Sequence, residues 1–356
     1  MKTHNFFAGP SIISEYALDR TSEAVKNFAN TGLSVMEISH RSSQFVEVIE
    51  SARSKVKSLL NVPDGYSVLF LQGGASLQFL MLAYNLFKDE VSYLDTGVWS
   101  KKAIEAARFF GGVRVIASSE DKTYSYIPEF EAKGSEDYLH ITTNNTIYGT
   151  RLQKDPEISV PLVADMSSDI FSRPVDVSKY DLIYAGAQKN IGPSGATLVI
   201  VREAALTKKK KKIPTILDYR THIKAESMYN TPATLPIYTC LQTLTWLENL
   251  GGIPAIMKIN DKKANLLYDE IDRNTLFKCP VPNPEHRSNM NVCFVMNEEY
   301  KDKEAEFITF AKEHGCLGLK GHRSVGGFRA SIYNAMPYES VEVLVQCMKD
   351  FETQNK

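Results

Sequence analysis

The sequence lacks the features that define several large classes of protein. No apolar run approaches the roughly 18 residues that a membrane-spanning helix needs, and the first residues show neither the apolar core nor the cleavage site of a secretory signal. Its five cysteines are odd in number, scattered and never spaced as C-x-x-C. This usage predicts free thiols in a reducing cytosol rather than a disulfide framework or a zinc site. We therefore expect a cytoplasmic protein that is not anchored in a membrane.

An excess of charge of either sign is also missing. The 41 Lys and Arg residues nearly balance the 42 Asp and Glu residues, for a formal net charge of −1, which argues against nucleic-acid binding as the main activity. The lysine run 208–212 predicts a solvated loop, because like charges repel. A non-enzymatic protein that binds a partner through this loop stays an alternative. With 356 residues, 43% of them hydrophobic, the chain is long enough for two packed domains.

Short apolar runs typical of strands alternate with helical patterns over the first two thirds of the chain. The strand-like runs are 68–71, 91–94, 113–117, 139–142, 162–164, 182–184 and 197–201. They predict an α/β fold, with a mostly parallel sheet that carries helices on both faces and binds ligands at the carboxyl ends of its strands. The glycine pair 251–252 marks a boundary. We predict a large cofactor-binding domain of residues 15–250 and a small α+β domain of residues 251–356 together with residues 1–14.

The most informative stretch is AGAQKNIGPSG, residues 185–195. Lys189 comes shortly after a predicted strand, and small residues flank it on both sides, so that a large planar ligand could lie against the backbone. An amine beside an apolar, glycine-rich wall is partly desolvated, which lowers its pKa and suits it to act as a Schiff-base nucleophile. Taken alone, the stretch favours an ordinary surface lysine. The remaining motifs shift that balance.

Two further segments offer an anion site and a charge partner. Gly73, Gly74, Ala75 and Ser76 stand between a predicted strand and a helix predicted from Leu77, where backbone amides can bind an anion. A plain tight turn explains them equally well, and the absence of G-x-G-x-x-G and P-loop patterns argues against a dinucleotide or a nucleoside triphosphate. Asp165 ends a predicted strand, where a carboxylate can keep a pyridinium nitrogen protonated. An N-cap or turn aspartate is an equal alternative.

Aromatic and basic residues complete the candidate set. Trp99, beside a glycine turn, can stack on a flat heteroaromatic ring, although a core role is more common. Thr146 can hydrogen-bond a ring oxygen or belong to a polar turn. His-Arg pairs at 40–41 and 322–323, with Arg329, suit a doubly anionic substrate, because arginine binds carboxylates and phosphates through a two-pronged fork. Surface ion pairing is the simpler explanation of any one of these residues.

Several motifs together resemble one family, the phosphoserine aminotransferases, which are pyridoxal-phosphate-dependent, fold-type I, class V aminotransferases. The motifs are ISHRSS (38–43), QGGAS (72–76), VADMSS (163–168), AGAQKN (185–190), MYNTPAT (228–234) and GHRSVGGFRASIYNAMP (321–337). With NFFAGPS near the N-terminus, they cover essentially the whole chain. The resemblance implies the fold-type I architecture, with a large mostly parallel-sheet domain, a smaller C-terminal α+β domain and a homodimer whose subunits share each site.

The resemblance also implies a role for each candidate residue. Lys189 would bind pyridoxal 5′-phosphate covalently and move the substrate α-proton, while Asp165 would pair with the pyridinium nitrogen. Trp99 would stack on the ring, and Thr146 would touch its 3-oxygen. The cofactor phosphate would be held by Ala75, Ser76 and Gln188, with Asn230 and Thr231 contributed by the partner subunit. The substrate would be bound by Arg329 at its α-carboxylate, and at its distal anion by His322, Arg323 and, from the partner subunit, His40 and Arg41.

The reaction that the resemblance implies moves the amino group of L-glutamate to 3-phosphohydroxypyruvate, giving O-phospho-L-serine and 2-oxoglutarate in serine biosynthesis. For bacterial members it also implies the related 4-phosphohydroxythreonine pair of vitamin B6 synthesis. Some members have arginine where this chain has Ser76, and the lysine run is not typical of the family. Another class V enzyme stays an alternative, such as an alanine–glyoxylate or serine–pyruvate aminotransferase. A cysteine desulfurase is disfavoured because Gln188, not histidine, precedes the lysine.

Overall fold

The computed structural model describes residues 2–207, 212–323 and 325–355, with Thr207 described by its backbone alone. The strands in chain order are β1 (His4–Asn5), β2 (Tyr66–Leu71), β3 (Glu90–Asp95), β4 (Gly112–Ser118), β5 (Leu139–Thr142), β6 (Asn144–Asn145), β7 (Thr150–Arg151), β8 (Leu162–Asp165), β9 (Leu182–Gly186), β10 (Thr197–Arg202), β11 (Phe277–Lys278), β12 (Asn291–Met296), β13 (Cys316–Leu317) and β14 (Phe328–Ser331). The α-helices are α1 (Glu15–Lys26), α2 (Ser43–Leu60), α3 (Gly74–Leu86), α4 (Val98–Arg108), α5 (Tyr219–Lys224), α6 (Thr234–Asn249), α7 (Gly252–Arg273), α8 (Glu304–Glu313) and α9 (Tyr338–Asn355).

The main sheet has seven strands among the described residues, in the order β2-β10-β9-β8-β5-β3-β4. Strands β9, β8, β5, β3 and β4 pair in parallel, while β10 runs antiparallel to both of its neighbours. Every residue of β5, β8 and β9 is buried, as expected of strands covered on both faces. The predicted α/β fold with a mostly parallel sheet is confirmed.

Helices cover both faces of this sheet. On one face, α2 and α6 pack against the sheet in a single hydrophobic cluster. On the other face, α3 and α4 form a second cluster with the same strands. Strand β9 shows why the two clusters are separate, because Ile183 belongs to the first and Tyr184 to the second. Successive side chains of a strand point to opposite faces.

A separate hydrophobic cluster lies in the C-terminal part of the chain. The antiparallel strands β11, β12 and β14 form a small sheet, which packs with α8, α9 and most of α7 around Phe277, Phe294, Phe307 and Phe328. The N-terminal strand β1 pairs in parallel with β13, and Phe6 is buried in the same cluster. The N-terminal residues therefore pack with the C-terminal part.

Helix α7 connects the two parts of the molecule. Its first turns place Ile253 and Ile256 in a cluster of the main sheet, and its later turns place Ala264 and Leu267 in the C-terminal cluster. A rigid helix that contributes to both hydrophobic clusters fixes the relation between them. The division into residues 15–250 and residues 251–356 with 1–14 stays a prediction.

Most predicted elements are found within a few residues of their expected positions. Ser14 and Ser42 cap α1 and α2, each accepting from a first-turn backbone amide. One prediction is wrong: helix α3 begins at Gly74 rather than Leu77, because Gly73 adopts a φ of 90° and serves as N-cap. Of the lysine run, residues 208–211 lie outside the described residues. None of the described helices combines the length and the apolar character needed to cross a membrane.

Candidate active site

The candidate site lies beyond the carboxyl ends of three adjacent parallel strands. Thr142 on β5, Asp165 on β8 and Tyr184 on β9 stand in register, so their side chains share one face of the sheet. The chain then continues from β5 into the short hairpin β6–β7, which contains Thr146, and from β9 into the turn that contains Lys189. The topology thus brings three separate segments of the chain to one edge of the sheet.

The turn that carries Lys189 is held from both sides. Within it, the amides of Ile191 and Gly192 donate to the Ala187 carbonyl at 3.1 and 2.9 Å. From outside, the Ser11 hydroxyl donates to the Lys189 carbonyl at 2.7 Å, and the Ser11 amide donates to the Gln188 carbonyl at 3.0 Å. The lysine backbone is therefore fixed in part by the N-terminal segment.

The Lys189 amine is surrounded by the groups that the sequence singled out. Its Nζ donates to the Thr146 hydroxyl at 3.0 Å and lies 5.7 Å from the centroid of the Trp99 ring. Desolvation by the surrounding protein lowers the pKa of Lys189 to about 8, an effect that the Asp165 carboxylate opposes and the Arg329 guanidinium strengthens. Near pH 8, about half of these amines are therefore unprotonated and able to attack a carbonyl carbon.

Asp165 is the buried carboxylate of the site, with 5% of its surface exposed. Burial raises the pKa of Asp165, while Lys189, the Ser167 backbone and side chain and the Tyr184 hydroxyl lower it. The Ser167 amide donates to Oδ1 at 2.9 Å, and the Ser167 hydroxyl accepts from the Gly186 amide at 3.1 Å. A desolvated carboxylate held by these hydrogen bonds is suited to pair with a cationic ring nitrogen.

The start of helix α3 offers an anion site. Gly73 has no side chain to cap the helix, and a Cβ there would lie 2.5 Å from the Leu77 side chain. Ala75 and Ser76 lie in the first turn, where backbone amides point outward and the helix dipole favours an anion. The Gln188 side chain folds over Gly186, where a Cβ would lie 2.6 Å from its Oε1.

The hairpin that holds Thr146 is tied to the C-terminal part through Asn144. The Asn144 amide group donates to the Ser168 hydroxyl and to Asn291 Oδ1, both at 2.8 Å, while the Ser288 hydroxyl donates to Asn144 Oδ1 at 2.5 Å. The Arg329 guanidinium, on β14, donates to the Thr146 carbonyl at 3.4 Å. The substrate side and the cofactor side of the site therefore share one polar network.

Several cations face the site from the same subunit. Burial lowers the pKa of His322, and the positive charges of Arg329, Arg323 and Lys102 lower it further. The Lys102 ammonium lies 4.9 Å from the centroid of the Trp99 ring. His322 and Arg329 are half-buried, whereas Arg323 and Lys102 are exposed. This concentration of positive charge would favour an anionic substrate.

Four candidate residues are not brought to Lys189 within one subunit. His40 and Arg41 have no hydrogen bond or ion pair with the described residues around Lys189, and His40 Nε2 is buried without a hydrogen-bond partner among them. Asn230 and Thr231 are exposed, and the Asn230 amide donates to Gln72 Oε1 at 3.1 Å, next to the start of α3.

Sequence analysis missed several residues that shape the site. Ser167, Tyr184 and Lys102 were not selected, and neither was Ser11. A period-two pattern does place Tyr184 on one face of its strand, but the pairing of β8 with β9 decides that it meets Asp165, and strand pairing cannot be read from one sequence. Lys102 is one helical turn from Trp99, a spacing that could have been noticed.

Comparison with known proteins agrees with this geometry. The family model described as Aminotransferase class-V matches residues 3–344. The chain belongs to the class V aminotransferases. Within this family it resembles the phosphoserine aminotransferases. The phosphoserine aminotransferase of Parabacteroides distasonis is 59% identical over 356 residues, which is 100% of both chains.

Solved structures show that this class V aminotransferase is similar to phosphoserine aminotransferases in its fold as well as in its sequence. The phosphoserine aminotransferase of Bacillus circulans subsp. alkalophilus superimposes with a TM-score of 0.96 at 43% identity, covering 100% of this chain and 99% of the other. The pyridoxal-phosphate-bound phosphoserine aminotransferase of Trichomonas vaginalis superimposes with a TM-score of 0.94 at 38% identity, covering 98% of this chain and 100% of the other. The predicted membership of the phosphoserine aminotransferase family is confirmed.

The cofactor of this class V aminotransferase is pyridoxal 5′-phosphate, and the residues present fit it. Asp165 is a desolvated carboxylate, the first turn of α3 lacks a side-chain cap, and Lys189 is a lysine of lowered pKa. The buried Trp99 Nε1 and Arg329 Nε have no hydrogen-bond partner among the described residues. The protein is therefore a pyridoxal-phosphate-dependent transaminase that acts on an amino acid and a 2-oxo acid.

Proposed function

We propose that this aminotransferase transfers the amino group of L-glutamate to 3-phosphohydroxypyruvate, giving O-phospho-L-serine and 2-oxoglutarate, as a step of serine biosynthesis. The observation that carries the proposal is the position of the Arg329 guanidinium near the Lys189 amine, with His322 close to Arg329, Arg323 and Lys102. Both oxo acids of the reaction have an anionic group at each end. The 59% identity to a phosphoserine aminotransferase supports the same substrates.

Six residues of one subunit would hold the cofactor in addition to Lys189. Asp165 would keep the ring nitrogen protonated, which is the state in which bound pyridoxal phosphate withdraws electrons from the reacting carbon. Trp99 would stack on the ring, and Thr146 would contact the ring oxygen. The amides of Ala75 and Ser76 at the start of α3 would bind the phosphate, with Gln188 beside them.

Lys189 has two tasks in this proposal. As the amine with a pKa of about 8, it anchors the cofactor before the reaction. The same amine would accept the α-proton of the substrate and return it, as a general base and then a general acid. The Thr146 hydroxyl, 3.0 Å from Nζ, can orient the amine for that transfer.

The substrate would be bound at both of its ends. The Arg329 guanidinium donates to the Thr146 carbonyl and therefore lies near Lys189. It would bind the α-carboxylate through two parallel hydrogen bonds. His322 and Arg323 would bind the distal group, which is a carboxylate in glutamate and a phosphate in phosphohydroxypyruvate. Several donors suit such a pocket better than one, because the two anions differ in size and charge.

A homodimer would complete the site. The partner subunit's His40 and Arg41 would join the distal pocket, and the partner subunit's Asn230 and Thr231 would reach the cofactor phosphate. The exposure of Arg41, Asn230 and Thr231 in the single chain supports this arrangement, as does the buried, unpartnered Nε2 of His40 among the described residues. We also propose that the enzyme acts in the cytoplasm.

Competing reactions test the substrate assignment directly. We expect kcat/KM for glutamate with 3-phosphohydroxypyruvate to exceed that for alanine with glyoxylate by at least about 100-fold, since two charge-assisted contacts are at stake. Unphosphorylated 3-hydroxypyruvate is the matched control for the phosphate. Equal rates with the two oxo acids would overturn the phosphate assignment, and preference for alanine with glyoxylate would favour the other class V activity. The same assay with the 4-phosphohydroxythreonine pair tests the vitamin B6 reaction and any effect of Ser76.

A further inference from the structure

A chain of buried polar groups lies beneath Asp165. Tyr184 on β9 stands in register with Asp165 on β8, and its hydroxyl lies close enough to the Asp165 carboxylate to lower the pKa of that carboxyl. The same hydroxyl lies 2.8 Å from Nε2 of His140 on β5. Tyr184 and His140 have no exposed surface. Neither has a place in the reaction proposed above, although each contacts the next in a line that ends at Asp165.

The proton arrangement along this line follows from the surroundings. Burial raises the pKa of Tyr184 well above its ordinary value, so the hydroxyl is neutral and has one proton to give. Because a carboxylate can only accept, the hydroxyl would donate to Asp165 and accept from His140. Burial lowers the pKa of His140 to about 3, so the ring is neutral, and donation to Tyr184 would place its proton on Nε2. Nδ1, which has no partner among the described residues, is then an acceptor rather than an orphaned donor.

The His140 ring is held by its neighbour on the next strand. It stacks on Tyr93 with the ring centroids 4.8 Å apart and the planes at 25°. The Tyr93 hydroxyl points elsewhere and lies 2.9 Å from the Tyr138 hydroxyl. Tyr93 therefore fixes the plane of His140 without touching Asp165, and its own hydroxyl belongs to a separate pair.

We propose that Tyr184 and His140 are positioning residues for the Asp165 carboxylate. Tyr184 holds the carboxylate ionised and aimed at the ring nitrogen of the cofactor, and His140 fixes the direction of the Tyr184 proton. The proposal rests on the proposed role of Asp165. Its physical basis is that a desolvated carboxylate stays charged only if donors replace the lost water. Tyr184 supplies one such donor and the Ser167 amide another.

A cofactor analogue with carbon in place of the ring nitrogen separates this role from general packing. The analogue has the same aldehyde and phosphate, so its reaction with Lys189 is unchanged, but it cannot pair with Asp165. We expect Tyr184→Phe to weaken binding of pyridoxal phosphate to the apoprotein by about tenfold, the worth of one hydrogen bond to a charged group. Binding of the analogue should stay as in the wild type. Tyr93→Phe, which removes an equally buried hydroxyl, should change neither affinity.

His140 variants test the second step. His140→Leu should weaken pyridoxal phosphate binding by about threefold. Tyr184 keeps its hydroxyl proton in this variant, but the His140 ring that orients the hydroxyl is lost. His140→Gln places an amide donor at a comparable distance and should restore most of the affinity. Binding of the analogue should again be unaffected in both variants.

The same binding measurements distinguish failure of the Tyr184 role from failure of the proposed Asp165 pairing. If Tyr184→Phe weakened the binding of both compounds equally, or of neither, Tyr184 would have no role through Asp165. The comparison variant Asp165→Asn should abolish the preference for pyridoxal phosphate over the analogue. If Asp165→Asn kept that preference, the proposed pairing of Asp165 itself would fail, which is a different conclusion. For variants that do not fold, the nitrogen NMR shifts of His140 in the unaltered holoenzyme decide, since a ring protonated on Nδ1 contradicts the proposed line.

Discussion

Two parts of the candidate site are built in different ways. Asp165, Tyr184 and Lys189, here called the floor, come from the ends of paired strands or the turn that follows, and their neighbours lie in the same subunit. His40, Arg41, His322 and Arg323, here called the rim, lie on loops, and two of the four are exposed. Sheet register fixes the floor before any ligand arrives, whereas the rim residues lie outside the sheets. The floor is suited to chemistry common to a class of enzymes, and the rim to the choice of substrate.

The strongest test of this difference removes the floor amine. We expect Lys189→Ala to lower kcat for glutamate with phosphohydroxypyruvate by about 10⁴-fold or more, because both the anchor and the proton carrier are lost. The variant should still bind some pyridoxal phosphate without a covalent bond: cofactor absorbance should stay with the protein, but borohydride treatment followed by mass spectrometry should show no added mass. Lys179→Ala, at a partly exposed lysine paired with Glu157, is the control. Full activity of Lys189→Ala would contradict the proposed mechanism.

Removal of the floor carboxylate should have the next largest effect. Asp165→Asn keeps the size of the side chain but cannot stabilise a protonated ring nitrogen, so we expect kcat to fall by roughly 100-fold or more. The matched control is Asp169→Asn, at a second buried carboxylate that the Thr143 hydroxyl contacts at 2.5 Å. A comparable loss in both variants would mean that buried negative charge in general, not contact with the ring, is what matters.

Rim substitutions should affect the choice of substrate instead. We expect Arg41→Ala or His322→Ala to raise KM for phosphohydroxypyruvate by roughly tenfold to 100-fold, the worth of one charge-assisted bond. KM for unphosphorylated hydroxypyruvate and kcat should change little. Arg20→Ala, at an exposed arginine paired with Glu23 on α1, controls for the loss of surface charge. Equal effects on both oxo acids would show that the distal pocket is wrongly assigned.

The smallest expected effect concerns pH. With the pKa of Lys189 lowered to about 8, the unprotonated fraction of its amine rises about fivefold between pH 7 and pH 8 and at most about twofold above that. The rate at which the apoprotein reacts with pyridoxal phosphate should follow this curve, measured as the growth of visible absorbance. A rate that keeps rising about tenfold per unit up to pH 10 would indicate a lysine of ordinary pKa and an open, hydrated floor.

Sequence reasoning succeeded where local signals suffice. The predicted strand that ends at Asp165 is a strand, and so is the predicted run before Lys189, because these features depend on near neighbours. The start of α3 was misplaced because the conformation of Gly73 extends the helix by three residues. The line from His140 to Tyr184 could not be predicted, since it depends on which strands pair and in what register.

The packing of the N-terminal residues against the C-terminal part of the chain has a consequence for biosynthesis. The His4 imidazole lies 2.9 Å from the hydroxyl of Ser340, 336 positions later in the chain, and Ser11, a few residues on, secures the backbone of the reactive lysine. A polypeptide still emerging from the ribosome can assemble the main sheet early, but it cannot form the contact between His4 and Ser340 until almost all of it has been translated. A nascent chain that stalls in the last helix would thus be nearly complete in mass and still have its reactive amine poorly fixed.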